Sequence, residues 1–267
     1  MASFPVPPAP PPELRDWRPI TGGESGDLVL RSPDGGRIAK VASPARGDEL
    51  AGERDRLLWL HGTAIPSPAV LGWGTDVNGA MLLIEALPGV PADELGPVGL
   101  ERAWPSVLAL VRSLHRLPAS SCPFVHGIAD MLAAARATVA GGRVRTEFLP
   151  EELQDAPPVE ILESLEVEAP LRLSQEAAQT VVCHGDLCLP NILVDPHTCQ
   201  VTGLVDAGRL GRGDPYLDLA LLLATAREVW ADGDAAAHAE RLLEQALGLV
   251  LDRPRRDFVL RLDPLTW

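Results

Sequence analysis

VVCHGDLCLPNILVDPHTCQVTGLVDAGRLGRGDPYLD, residues 181–218, decides how this chain is read. It sets His184, Asp186, Asn191, Asp206 and Arg209 around two short apolar runs at 192–194 and 201–205. The runs are aliphatic and β-branched, and the Asp195-Pro196-His197-Thr198 turn between them cannot continue a strand, so the spacing predicts a hairpin. With Val194 paired to Val201, Asn191 lies near Leu204, and the second strand delivers Asp206 to the edge where Asp186 arrives from the preceding loop. A carboxylate, an amide and a second carboxylate then meet. They form a set of hard oxygen donors suited to magnesium, with one carboxylate to spare.

Taken singly, Asp and Asn are ordinary turn residues, because their side chains bond their own backbone. Their joint spacing is harder to obtain from independent turns: His-Gly-Asp, an Asn five residues after the Asp, a strand pair, then Asp-x-Gly. It parallels a kinase catalytic loop, in which an acid accepts the substrate hydroxyl proton while Asn and a second Asp hold the metals.

A chain of 267 residues, 46% of them hydrophobic, suffices for one large or two modest globular domains. Its formal charge of -14 argues against a nucleic-acid partner, which demands a basic patch, and suits a small cationic substrate better. Much of that acid serves solubility alone. Cys122, Cys183, Cys188 and Cys199 have no CxxC or zinc-type spacing and read as reduced thiols. Residues 1–16 form a proline-rich leader with neither a basic n-region nor an apolar h-region, and no apolar run reaches membrane-span length. The expectation is a monomeric cytoplasmic protein with no membrane or nucleic-acid partner.

Beyond the leader, residues 21–27 are rich in glycine and precede two strands joined by the turn Ser32-Pro33-Asp34-Gly35-Gly36. Such a loop lets backbone approach a phosphate, with Ser25 adding a hydroxyl, although a glycine-rich hairpin turn is common on its own. Neither a Walker pattern nor a strict GxGxxG is present. Residues 48–61 read as a helix with Leu50, Leu57 and Leu60 on one stripe, and Glu53 shares that stripe. A carboxylate facing a core is costly unless a cation meets it, and Lys40 on the strand just before is the candidate. The alternative is that Glu53 escapes to solvent beside Arg54 or Arg56.

Residues 80–84 are a continuous apolar strand ended by Pro88 and Gly89, a natural link between a small first lobe (17–86) and a larger second one (87–267). An adenine would bind against that link through backbone groups. The second lobe reads mainly as helix, at 100–117, 130–140, 217–229 and 237–251. The acidic run at 151–168 reads as a solvated face around Pro157-Pro158, with some acids able to rim a polycation site. The C-terminal stretch places Asp263, an indole and the Trp267 carboxylate close together.

HGDLCLPN at 184–191, GLVDAGRLG at 203–211 and DPYLDLALLLA at 214–224 resemble the aminoglycoside phosphotransferases, whose fold is related to the protein kinases. GGESGD at 22–27, ELAGERDRLLWL at 49–60, PGVPA at 88–92 and RLDPLTW at 261–267 extend the likeness, most closely to the streptomycin 3''-phosphotransferase branch. The resemblance implies an α+β, bilobal, protein-kinase-like fold with a small antiparallel sheet and a larger, mainly helical lobe. It also implies magnesium-dependent transfer of the γ-phosphoryl of ATP, or of GTP, to an aminoglycoside hydroxyl. Position by position, it assigns Asp186 as catalytic base with Arg209 beside it, Asn191 and Asp206 as magnesium ligands, and Lys40 and Glu53 as the phosphate-binding pair. It further assigns Ser25 to the nucleotide loop, Ile84, Glu85 and Ala86 to the adenine hinge, Asp218 to a structural role, and Asp263 and Trp267 to the substrate. Ala207 departs from the bulkier residue of related kinases. Two alternatives stand beside this: a kinase of the same fold acting on choline, homoserine or a macrolide, and a non-catalytic nucleotide-binding protein.

Overall fold

Five antiparallel strands form the first layer of the computed structural model, which describes residues 14–20, 27–230 and 232–267. They are β1 (Arg18–Pro19), β2 (Leu28–Arg31), β3 (Arg37–Ala42), β4 (Val70–Asp76) and β5 (Gly79–Glu85), laid side by side in the order β1-β2-β3-β5-β4. Most of the leader and the nucleotide-loop candidate Ser25 lie outside the described residues.

Alternation along β3 settles the two faces of this sheet. Ala39 and Val41 turn toward Leu14 and Leu30, while Ile38 and Ala42 join Ala80, Leu82 and Ile84 of β5 in the main core. Lys40 has the parity of Ile38 and Ala42 and sits opposite Leu82, on the face covered by helix α1 (Gly47–His61). Leu50, Glu53, Leu57 and Leu60 are the buried positions of that helix, at spacings of three and four, as the stripe predicted.

The larger part is built from α2 (Gly96–His115), α3 (Ile128–Ala140), α4 (Pro158–Gln179), α5 (Tyr216–Trp230), α6 (Gly233–Leu247) and α7 (Arg253–Leu262). Two small sheets carry the segment between α4 and α5: β7 (Val181–Cys183) pairs with β10 (Gly211–Gly213), and β8 (Ile192–Val194) lies between β6 (Val90–Pro91) and β9 (Val201–Leu204). One hydrophobic cluster runs from the sheet face under α1 through Trp104 and Leu114 of α2 to Phe258 of α7. The arrangement is the expected two-lobed α+β fold, and the lobes share a core.

Several boundaries differ from those the sequence predicts. Helix α6 runs over 233–247, not 237–251, because Asp232 caps its start by accepting from the Asp234 N–H at 3.0 Å. Gly248, at φ 68°, turns the chain left-handed and ends it. Helix α4 occupies part of what reads as an acidic surface run. Its prolines mislead: Pro158 lies in the first turn, where a missing N–H costs nothing, and Pro170 is accommodated inside. Helix α7 is absent from the sequence reading because its apolar positions are few and Arg255 is one of its buried residues. That guanidinium meets Asp214 at 2.6 Å, both side chains buried, and so ties α7 to the end of the 181–214 segment.

All four cysteines are free thiols. No helix among the described residues is long and apolar enough to cross a membrane.

Candidate active site

The catalytic segment takes its shape from backbone held at both ends. β7 delivers the chain to His184, whose N–H donates to Asp218 Oδ2 at 3.0 Å, while the N–H of Gly185 donates to Asp218 Oδ1 at 2.9 Å. His115 Nε2 lies 2.8 Å from the same carboxylate, which sits fully buried at the start of α5. Asp218 is therefore the structural acid the sequence reading expects. His115, Cys183 and Asp218 come within 4.8 Å of one another, but the carboxylate is occupied by the loop and Cys183 Sγ points to the Asp214 carbonyl at 3.2 Å. Gly185 adopts φ 81°, and a Cβ there would meet the carbonyl oxygen of Arg209 at 2.4 Å, which is why the residue before Asp186 carries no side chain.

The predicted hairpin forms with one change. Val194 pairs with Val201, but a bulge shifts the register so that Ile192, not Asn191, faces Leu204. Asn191 then accepts the Val205 N–H on its carbonyl at 3.0 Å, which fixes Asp206 one residue beyond. Its side-chain Nδ2 donates to the Asp186 carbonyl at 2.9 Å and to Asp186 Oδ2 at 3.2 Å. Asp206 is held at φ 62°, ψ 54°, a left-handed backbone that a non-glycine residue adopts at a cost of order 1–3 kcal/mol. Strain of that kind is characteristic of functional sites. Asp186, Asn191 and Asp206 thus gather at one edge of the hairpin.

Across the cleft, Lys40 Nζ donates to Glu53 Oε1 at 2.6 Å and to Asp206 Oδ1 at 3.0 Å. Glu53 does not escape to solvent. Burial alone would lower the Lys40 ammonium, but the Glu53 and Asp206 carboxylates outweigh it and hold the group above the usual lysine value. Lys40 in turn keeps Asp206 below the ordinary carboxylate range. A second tie between the lobes, from Arg56 Nε to the Leu210 carbonyl at 2.7 Å, has no sequence signal.

Burial pushes the Asp186 carboxyl up; Arg209 and His184 pull against it, Asp263 and Asp206 add to it, and the net position is above the usual value. Arg209 Nη1 donates to Asp263 Oδ1 at 2.8 Å, and Trp267 Nε1 donates to Asp263 Oδ2 at 3.3 Å. Both oxygens of Asp263 are therefore engaged, one by Arg209 and one by the indole. Burial and then Arg209 push the His126 imidazole down to about 4, leaving it neutral near pH 7. Burial also raises the Cys188 thiol, with Asp186 adding to the effect, so the thiol stays protonated beside Asp186.

At the end of β5 the backbone donors of the expected hinge belong to the sheet. The Glu85 N–H donates to the Ala69 carbonyl at 2.9 Å and the Ala86 N–H to the Gly36 carbonyl at 3.0 Å. What remains of Ile84, Glu85 and Ala86 for an adenine is carbonyl oxygen, with further donors available only past Ala86.

A protein-family model described as the phosphotransferase enzyme family matches residues 16–263. The chain belongs to the aminoglycoside phosphotransferase family. It is 48% identical to the streptomycin 3''-kinase of Streptomyces griseus over 271 residues, covering 100% of both chains. The aminoglycoside 3'-phosphotransferase of Streptomyces fradiae is 38% identical over 93% of this chain and 94% of that one. Among solved structures, aminoglycoside phosphotransferase APH(3'')-Id of Streptomyces rimosus, in complex with ADP and streptomycin, superposes with a TM-score of 0.90 at 48% identity, covering 94% of this chain and 92% of that chain. This aminoglycoside phosphotransferase is accordingly a kinase-like enzyme, as its convergent acids indicate.

Proposed function

We propose that this enzyme transfers the γ-phosphoryl of ATP to the 3''-hydroxyl of streptomycin and thereby inactivates the antibiotic. The observation that carries the reading is the single cleft in which Asp186, Asn191 and Asp206 face a lysine anchored by Glu53, in a chain alike over its whole length to a streptomycin 3''-kinase.

Phosphoryl transfer passes through a loose transition state, so alignment and charge neutralisation matter more than a potent nucleophile. Lys40, steadied by Glu53, meets the α- and β-phosphates. Asn191, with its amide nitrogen committed to Asp186, and Asp206, with one oxygen committed to Lys40, each retain an oxygen for Mg2+. The donor chemistry fits that hard cation, which would offset phosphate charge when bound. Asp186 accepts a hydrogen bond from the acceptor hydroxyl and takes its proton as the oxygen bonds to the γ-phosphorus; the bond from that phosphorus to the bridging oxygen breaks, and ADP leaves. Its raised pKa suits a proton taken late. Arg209 keeps the base ionised, and Asp263 holds Arg209. The adenine lies against the carbonyls of the 84–86 link, and Ser25 contributes to the nucleotide loop. The division into a leader (1–16), a nucleotide lobe (17–86) and a catalytic and substrate lobe (87–267), acting as a monomer in the cytoplasm, belongs to the same reading.

Mass spectrometry of streptomycin after incubation with the enzyme, ATP and Mg2+ is the test. A mass gain of one phosphoryl group is expected, with fragmentation placing it at the 3''-hydroxyl. Phosphorylation of choline, homoserine or a macrolide in place of streptomycin would overturn the assignment.

A further inference from the structure

Helix α1 follows the sheet in sequence, yet its side chains hold it to the larger lobe. Arg56, one turn after Glu53, donates from Nε to the Leu210 carbonyl at 2.7 Å and lays its guanidinium over Phe124, Cζ 4.9 Å from the ring centroid. Trp59, on the next turn, donates from Nε1 to the Ser121 carbonyl at 3.1 Å and meets Phe124 edge-on, the ring centroids 6.5 Å apart. Phe124 is itself fixed, because its carbonyl accepts the Arg212 N–H at 2.9 Å. The half-buried Arg56 guanidinium thus engages a carbonyl and a ring, and no carboxylate pairs with it among the described residues. Gly52 makes room for it: a Cβ there would stand 2.8 Å from Arg56 Nη1. Glycine weakens a helix interior, and here it leaves the space that the guanidinium occupies.

We propose that Arg56 is a positioning residue for phosphoryl transfer, clamping α1 to the turn that follows Asp206 and so setting the separation of Lys40 from Asp206. The inference rests on the reading of Lys40 and Asp206 as the groups that meet the phosphates and their cation. Glu53 reaches the Lys40 ammonium from α1 at 2.6 Å, and Asp206 reaches it from the other lobe at 3.0 Å. Two ion pairs that share one ammonium on a flexible stem fix neither the angle nor the depth at which helix meets turn. A contact at the far end of the 206–210 turn does. Leu210 is fully buried, and the Arg209 carbonyl beside it packs on Gly185, where a Cβ would come within 2.4 Å. A guanidinium suits the clamp, since its planar fork donates in a set direction while its face rests on a ring. Without it α1 turns with the sheet and carries Glu53 and Lys40 away from Asp206. A displacement of about 1 Å costs a large factor in rate when alignment carries the chemistry.

Steady-state kinetics of Arg56→Met and Arg56→Lys test this, with melting temperature as a check of folding. A second readout is the rate at which acetic anhydride labels Lys40, followed by mass spectrometry of the peptide that carries it. In Arg56→Met, kcat is expected to fall about twentyfold while the KM for streptomycin holds. Lys40 labelling should rise about fivefold, since an ammonium freed from its carboxylates gives up its proton more readily. Arg56→Lys keeps a donor for the Leu210 carbonyl and is expected within about threefold of wild type in both readouts. Loss of packing alone would lower the melting temperature without freeing Lys40. Wild-type kcat or an unmoved labelling rate in folded Arg56→Met would overturn the clamp, as would an Arg56→Lys variant as slow as Arg56→Met. Should Arg56→Met not fold, Gly52→Ala decides, because its methyl crowds Nη1 while alanine favours the helix. A kcat lower by about threefold at an unchanged or higher melting temperature supports the clamp, and wild-type kcat overturns it. Asp206→Asn separates the two readings. Full activity in that variant would remove Asp206 from the reaction and leave Lys40 labelling to decide the clamp; an inactive Asp206→Asn beside a wild-type Arg56→Met would remove the clamp alone.

Discussion

The two walls of the cleft are built on different principles. On the phosphate side, Lys40, Glu53 and Asp206 form a short chain of ion pairs whose members sit on a strand, a helix and a hairpin end, each positioned by regular structure. On the side proposed for the acceptor, Arg209, Asp263 and Trp267 come from short turns at 207–209 and 263–267 and meet through one carboxylate. The first wall is set by strand parity and helical stripe, and it has a fixed task, because every nucleotide presents the same phosphates. The second is set by how distant connections pack, and connections are where substrate preference is placed.

Separate kinetic readouts for nucleotide and acceptor probe this contrast. Asp186→Ala lies between the walls and is expected to have the largest effect: turnover lower by about a thousandfold or more, with ADP binding by calorimetry retained. Loss of ADP binding in that variant would tie the base to the phosphate wall and blur the distinction. Lys40→Ala should lower kcat/KM for ATP by about a hundredfold while the KM for the acceptor holds.

Arg209→Met attacks the other wall. The KM for the acceptor should rise about tenfold, and the pH profile should move with it. The sign follows from charge: Arg209 stabilises the ionised form of Asp186 and pulls its pKa down, so without Arg209 that pKa rises. The acid limb of kcat/KM then shifts to higher pH. His126, at about 4, is neutral near pH 7 and contributes no limb there. An unmoved acid limb would show that the walls do not communicate through this arginine. Glu53→Gln is expected to be mildest, since the amide still accepts from Lys40; the KM for ATP should rise about fivefold with an unchanged acceptor KM. A larger effect on the acceptor than on ATP would reverse the division.

Legibility in the sequence follows the same line. The Lys40 and Glu53 contact could be argued from a leucine stripe that includes a carboxylate, because a buried charge needs a partner and only the preceding strand was near. The convergence of Asp186, Asn191 and Asp206 could be argued from a hairpin, although the bulge after Leu193 moved the register by one. Hinge donors were harder, since whether a backbone N–H is free depends on the neighbouring strand, and Gly36 takes the one on Ala86. Asp263 reads from the sequence as a candidate substrate acid, whereas the structure engages both its oxygens with Arg209 and Trp267.

Sequence by itself determined the chemistry and its local frame: a spaced set of acids, an amide and a lysine, each on an element whose period of two or 3.6 residues fixes which face it presents. Only the tertiary structure decided which of those groups are already spoken for. Hydrogen-bond saturation and ring stacking arise between segments far apart in the chain, and no local periodicity records them.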